Sequence, residues 1–258
     1  GAWSELHVVD SQGNNRSFIV GKVNIGSIDW TPDGGAISFL DKRGDDEHKS
    51  LYVIPIDGGE ARKVLEHESA IGSYSWSGDG RVAFLATDEE DKDKKKLKDK
   101  GFKAEIYEEE HRLTKVWIAP CNWRHPDFDH EHNAPTSLEL PGNASELHFA
   151  PLGSTLAVAL APTPLIDDRY MKRKIHLVNA DSGKSLAIID NPGKMGQVAW
   201  SPDGRHLAFI SAEDINDPGG GRLMIADARD GTFREVLPNY MGHVQSVAWQ
   251  NPDTIMYV

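Results

Sequence analysis

A single cysteine, Cys121, stands in a chain of 258 residues. It excludes an internal disulfide framework without fixing the compartment, and its natural place is that of a small buried hydrophobe. Positive charge is short as well: 28 Lys and Arg face 40 Asp and Glu, a formal net charge of −12. That sign repels phosphate backbones and argues against a nucleic-acid partner. No run approaches the roughly 20 apolar residues of a membrane-spanning helix, and residues 1–10 carry neither the basic nor the apolar region of a secretory signal. The expectation is a soluble chain, cytoplasmic or periplasmic, with no membrane partner. What is present, 39% apolar and 26% charged residues, suits a packed globular core and excludes a disordered or collagen-like chain.

The organising feature is an internal repeat. The stretch Ser27-Ile28-Asp29-Trp30-Thr31-Pro32-Asp33-Gly34 returns as Ser73-Tyr74-Ser75-Trp76-Ser77-Gly78-Asp79-Gly80 and as Gln197-Val198-Ala199-Trp200-Ser201-Pro202-Asp203-Gly204. Weaker copies centre on Phe149 and Trp249. The aromatic anchors Trp30, Trp76, Phe149, Trp200 and Trp249 are 46, 73, 51 and 49 residues apart, a propeller-blade period of roughly 40 to 50 broken by one long insertion. Each repeat reads as four short strands. An apolar run such as Ala36-Ile37-Ser38-Phe39-Leu40 follows the turn, a third strand ends in a turn such as Asp57-Gly58-Gly59, and a fourth closes the unit. In the turn, proline presets φ, the aspartate bonds nearby backbone and glycine accepts positive φ. The aromatic before it is expected to pack one blade on the next, because a sheet cannot bury both faces alone.

These periods predict an all-β chain, a single β-propeller of four-stranded blades spanning residues 1–258. Blades are expected over 25–71, 72–144, 145–195 and 196–244, with half blades at 1–24 and 245–258. That is five blades' worth, either a closed five-bladed ring or a slice of a larger propeller whose open edges offer a route to homo-oligomers.

Two insertions interrupt the period, both between second and third strands. The first, residues 88–115, holds ten acidic and nine basic residues, so the acidic excess lies elsewhere in the chain. Residues 88–100 read as a solvated loop or short helix, and Glu108, Glu109, Glu110 and Arg112 present charge from its second half. The other begins Ala161-Pro162-Thr163-Pro164-Leu165 and offers Asp167, Asp168, Arg169 and Tyr170. These eight charged and phenolic residues are expected to share one rim, facing a substrate or another domain. His125, His130 and His132, in a run with three carboxylates, form a weaker candidate for a metal, set against the plainer reading of a solvated loop. Gly219-Gly220-Gly221 reads as a flexible hairpin tip, and the glycosylation patterns at Asn15 and Asn143 are three-residue matches of little weight.

The Trp-Ser-Pro-Asp-Gly repeats resemble those of TolB-type propellers. The two insertions narrow this: Gly101-Phe102 through Tyr107-Glu108-Glu109, Arg112-Leu113-Thr114-Lys115-Val116-Trp117, and Ala161-Pro162-Thr163-Pro164-Leu165 with Asp167-Asp168-Arg169-Tyr170-Met171. Together they resemble the N-terminal propeller of prolyl oligopeptidase family serine peptidases, in the acylaminoacyl-peptidase and dipeptidyl-peptidase branch. The resemblance implies a noncatalytic domain, without cofactor, that gates access to a C-terminal α/β-hydrolase domain and helps position peptide substrates. That hydrolase is absent from this sequence. The nearest approach to a G-x-S-x-G nucleophile elbow, Gly183-Lys184-Ser185-Leu186-Ala187, lacks its last glycine and runs into a strand pattern rather than a helix, so Ser185 is a turn residue. No catalytic residue is carried over, and this chain alone is not expected to hydrolyse peptides. The alternative is a stand-alone TolB-like propeller that binds a protein partner.

Overall fold

Short apolar runs separated by Pro, Asp and Gly leave no room for long helices, and the computed structural model, which describes residues 3–104, 111–132, 134–216 and 219–258, is built of twenty strands and two helices among them. A two-stranded sheet comes first, β1 (Leu6–Val9) and β2 (Asn15–Ile19). Four antiparallel four-stranded sheets follow, each with its strands in chain order. They comprise β3 (Gly26–Trp30), β4 (Ala36–Asp41), β5 (Ser50–Pro55) and β6 (Arg62–Leu65), then β7 (Ile71–Trp76), β8 (Arg81–Thr87), β9 (Thr114–Pro120) and β10 (Thr136–Leu138). The next two are β11 (Asn143–Phe149), β12 (Thr155–Ala161), β13 (Lys174–Asn179) and β14 (Ser185–Ile189), and β15 (Met195–Trp200), β16 (His206–Ser211), β17 (Arg222–Asp227) and β18 (Phe233–Glu235). Ser185, expected in the turn, instead opens β14 and pairs with Val178. A second two-stranded sheet, β19 (Val247–Asn251) and β20 (Thr254–Tyr257), ends the series. The terminal pairs remain separate sheets and do not hydrogen-bond into one.

The core lies between sheets. Second strands of the four-stranded sheets are buried on both faces, and Phe39, Phe84 and Phe209 occupy the same place in three of them, each fully buried. One cluster joins Leu51, Val53 and Leu65 of one sheet to Trp76, Phe84 and Ala119 of the next, and the same arrangement recurs between each successive pair. Cys121 is buried in the first of these, and burial pushes its thiol up to about 12, so it packs as an inert hydrophobe.

The repeated aromatics do more than fill space. Trp76 donates its indole N–H to Ser38 Oγ at 2.9 Å, Trp200 to the His148 carbonyl at 2.9 Å and Trp249 to the Ala199 carbonyl at 3.0 Å, each reaching the preceding sheet. Each bond fixes the register of one sheet on another and contributes about 1 kcal/mol. Trp30 departs from the expected packing. It is 49% exposed, because the sheet before it has only two strands and offers no first strand to lie on.

The Ser or Thr two residues before each turn aspartate is a second participant that pattern reading missed. Thr31, Ser77 and Ser201 are buried, and their hydroxyls donate to Asp33, Asp79 and Asp203 while accepting from the N–H of Ala36, Arg81 and His206. Arginines then staple this turn end of the molecule from sheet to sheet: Arg124 pairs with Asp33, Arg81 with Asp181, and Arg62 reaches the Trp123 carbonyl at 2.7 Å.

Burial opposes ionisation of Asp33, but hydrogen bonds from Thr31 and the Gly35 N–H, with the Arg124 guanidinium, outweigh it and hold the carboxyl down at about 2. The folded value lies below the unfolded one, so this contribution to stability is complete above about pH 4 and is lost as pH falls through about 2. An NMR titration of the Asp33 carboxyl is expected to give a midpoint near 2 that rises in Arg124→Ala; a midpoint at the ordinary aspartate value would contradict the assigned network.

Candidate functional site

Both insertions leave the propeller at the end opposite the turns. The first is closed at its neck by Asp88 N–H to the Leu113 carbonyl at 2.9 Å and by the Thr87 and Thr114 hydroxyls 3.0 Å apart. Its helix α1 (Lys92–Asp99) is capped by Asp91, whose carboxylate accepts from the N–H groups of Asp93 and Lys94. It buries no side chain, as its lysine-rich sequence requires. Arg112 turns inward to this neck, donating Nε and a terminal nitrogen to the Asp88 carbonyl at 2.8 and 2.6 Å. Glu108, Glu109 and Glu110 lie outside the described residues.

The second insertion contains a short helix. Its helix α2 (Ile166–Met171) is fixed by Asp168, which is buried and accepts from the Thr163 hydroxyl and Lys172 Nζ, both at 2.8 Å. Asp168 is thus occupied within its own loop. Asp167, Arg169 and Tyr170 face solvent, and Ile166 and Tyr170, one helical turn apart, are 63% and 61% exposed.

The two necks meet. Asn143, buried at the start of β11, pairs in register with Ala161 at the exit to the second insertion, and its side-chain oxygen accepts the N–H of Thr114 at the neck of the first, at 2.9 Å. Burial also makes Asn143 a poor glycosylation acceptor. The expected hairpin tip at Gly221 is instead a packed position. A Cβ there would lie 2.3 Å from the Val244 carbonyl oxygen, and the Gly221 N–H donates to His243 Nδ1 at 2.7 Å. His125, His130 and His132 each approach an aspartate, His132 Nδ1 standing 2.7 Å from Asp129. Among the described residues no group of three or more His, Cys, Asp or Glu is placed to hold a metal.

A cleft of about 560 Å³ lies between the first two four-stranded sheets, beside β6 and β9, and was not foreseen from the sequence. Its walls come from the β4–β5 loop, the β6–β7 loop and His130, Glu131, Ala134 and Pro135, where a 3-10 turn packs against β6. Six carboxylates line it against one amine, Lys63, which binds Asp46 at 2.5 Å and Glu66 at 2.9 Å. Asp46 is buried, which opposes its charge, yet bonds from Lys63, the Tyr52 hydroxyl and the Arg43 N–H keep it below the usual aspartate value. Trp117 and His67 form the aromatic part of the wall, ring centroids 4.5 Å apart, and burial pushes His67 down so that it is neutral at pH 7. These residues are scattered over ninety positions of sequence, and the acidic run at residues 45–47 and the histidine-rich run near residue 130 were the only signals available.

No protein-family model and no curated protein matches the sequence. Solved structures do match in fold. A TolB from Acinetobacter baumannii superposes with a TM-score of 0.57 at 16% identity, over 92% of this chain and 49% of its own. An oligogalacturonate lyase in complex with manganese gives 0.62 at 17% identity, over 94% and 61%, and Kuenenia stuttgartiensis hydrazine synthase gives 0.59 at 14% identity, over 96% and 65%. The chain therefore spans about half to two thirds of the length of these proteins. Four-stranded antiparallel sheets in sequential order, stacked face to face with a repeated tryptophan and a Ser/Thr-x-Asp-Gly turn, give this chain the fold of a TolB-like β-propeller.

Proposed function

We propose that the chain is the noncatalytic propeller of a prolyl oligopeptidase family serine peptidase, gating and positioning peptides for a hydrolase domain. The observation that carries this reading is the placement of the two family-like insertions: they spring from adjacent sheets, on one end, with necks joined through Asn143. Exposed Asp167, Arg169 and Tyr170 on α2, with Leu97 and Phe102 of the first insertion 50% and 69% exposed, form a mixed polar and apolar rim suited to a domain contact. Arg112 and Asp168 act as supports for the rim rather than as its contact groups.

The fold serves equally a second reading, a stand-alone propeller that acts as a protein-interaction module, because one fold hosts many functions. Reading the coding sequence past Val258 separates the two. Alternating strand and helix patterns with a G-x-S-x-G elbow are expected under the first, whereas a stop codon there supports the second.

A further inference from the structure

The two end sheets have the registers of complementary halves of one blade. In β19 and β20, Trp249 pairs with Ile255 as Trp200 does with Leu207 and Phe149 with Leu156, which marks them as first and second strands. β1 and β2 carry the turn that joins third and fourth strands. The Gly13 N–H donates to the Asp10 carbonyl at 3.0 Å, as Gly183 does to Asn179 at 2.8 Å and Gly231 to Asp227 at 2.9 Å. In the complete sheets Leu156 stands opposite Val178 and Leu207 opposite Ala226, each the residue just before that turn position. The same register sets Ile255 opposite Val9 and Tyr257 opposite His7.

What these end positions lack is cover. Val178 and Ala226 are fully buried, whereas Val9 is 62% exposed; Phe209 is fully buried, whereas Tyr257 in the matching place is 45% exposed. A groove of about 390 Å³ lies where third and fourth strands would join β20, between Leu223 and Ile225 of β17 and Ile255 and Tyr257 of β20. Trp30 lacks an acceptor as well. Trp200 and Trp249 donate to the carbonyl of the residue before the preceding sheet's aromatic. Trp76 reaches the equivalent Asp29 carbonyl through Ser38 Oγ, which donates to it at 3.1 Å. On that pattern the acceptor that suits Trp30 is the Ala248 carbonyl, one residue before Trp249.

Within one chain the end sheets stay apart, and drawing them together would mean repacking the clusters between successive sheets, which close-packed cores resist. A second copy brings the same surfaces together without that cost. Charge agrees. Arg62, opposite Val53 on the fourth strand of its sheet, donates across to the Trp123 carbonyl beyond the third strand of the next. Arg234 holds the same place opposite Ile225 on β18, is exposed, and has no partner among the described residues. The β1–β2 turn that would come to it carries Asp10, whose carboxylate accepts only from its own turn. We propose that copies of this chain join head to tail, β1 of one copy adding to the free edge of β20 of another as the third strand of a shared four-stranded blade. The proposal rests on this chain's own edges and is independent of the peptidase reading.

Sedimentation equilibrium of the chain over a wide range of concentration tests it, and a mass that climbs past one copy as concentration rises is expected. Val9→Asp and Tyr257→Asp, both exposed in the single chain, each put a charge into the joint. Each is expected to weaken association at least about tenfold while leaving the thermal melt of the dilute chain unchanged. Because a head-to-tail joint has two different halves, a 1:1 mixture of these two variants is expected to associate and to stop at dimers. Paired cysteines read the register. Val9→Cys with Ile255→Cys is expected to give disulfide-linked dimers and longer ladders on mild oxidation, and Val9→Cys with Met256→Cys, one residue out of step, is not. Cys121 is buried and stays out of the exchange. One-chain mass at every concentration, association indifferent to either aspartate, or a mixture that stays monomeric would overturn the proposal. A disulfide between positions 9 and 255 closed within a single chain would overturn it too, by showing that the chain completes the blade with its own end.

Discussion

Phe84→Ala is expected to lower the stability of the propeller by about 3–5 kcal/mol, the range for a large aromatic removed from a core that closes only partly around the gap. Phe84 is fully buried on β8 and belongs to the cluster joining the first two four-stranded sheets. Its ring lies 6.5 Å from that of Trp117, nearly parallel, and 5.4 Å from that of His67. Truncation therefore opens a void between two sheets, each of which depends on the other to cover its apolar face. Leu97→Ala on α1 is the control. That side chain is 50% exposed and the helix buries nothing, so the change is expected to stay within about 0.5 kcal/mol. Urea unfolding followed by tryptophan fluorescence measures both, and a loss below about 1 kcal/mol for Phe84→Ala would mean that intersheet packing is not what holds the blades together.

Gly142→Ala is the second large effect, and it couples the fold to the rim. Gly142 has φ +95°, and a Cβ would come 2.2 Å from the Ala161 carbonyl oxygen, a backbone atom that can yield only by moving the strand. The left-handed conformation alone costs about 1–2 kcal/mol for a residue with a side chain, and displacement of β12 adds to it. The displaced atoms belong to Ala161, where the second insertion begins, and lie beside Asn143, which holds the neck of the first. A loss of at least about 2 kcal/mol is expected, with faster amide exchange at Thr114 and across residues 162–173. Gly13→Ala isolates the strain, because its φ is +87° with nothing within 4 Å of the added carbon. If the two substitutions cost the same and exchange at the necks is unchanged, Asn143 does not join the insertions.

Much of this architecture is legible in the sequence because the propeller repeats its chemistry. Burial of both faces makes the second strands plain apolar runs, and the aspartate and glycine of each turn mark where they begin. Strands β13 and β14 could be read from Ile175-His176-Leu177-Val178, the Asp181-Ser182-Gly183 turn and Ser185 to Ile189 alone. Three-dimensional complementarity was less visible. Nothing in the spacing of Trp76, Trp200 and Trp249 says that each indole N–H reaches the preceding sheet, and the exposure of Trp30 depends on what its neighbour lacks. Asp168 has the look of a rim residue in sequence, yet the Thr163 hydroxyl and Lys172 occupy its carboxylate. The cleft escapes sequence reading for a related reason. Trp117 looks like one more core aromatic of a third strand, and only the fold brings it to His67 and places Ser137 opposite it.

The central claim, a noncatalytic TolB-like propeller that serves a hydrolase, is tested most directly by peptidase activity. The chain ending at Val258 and the product of the coding sequence read through Val258 would be purified side by side and assayed on aminoacyl and N-acetylaminoacyl p-nitroanilides. The account predicts no hydrolysis by the chain alone, serine-inhibitor-sensitive hydrolysis by the longer product, and altered KM when Arg169 and Tyr170 on the exposed face of α2 are replaced by alanine. Hydrolysis by the chain alone, or a longer product without it, would contradict the account.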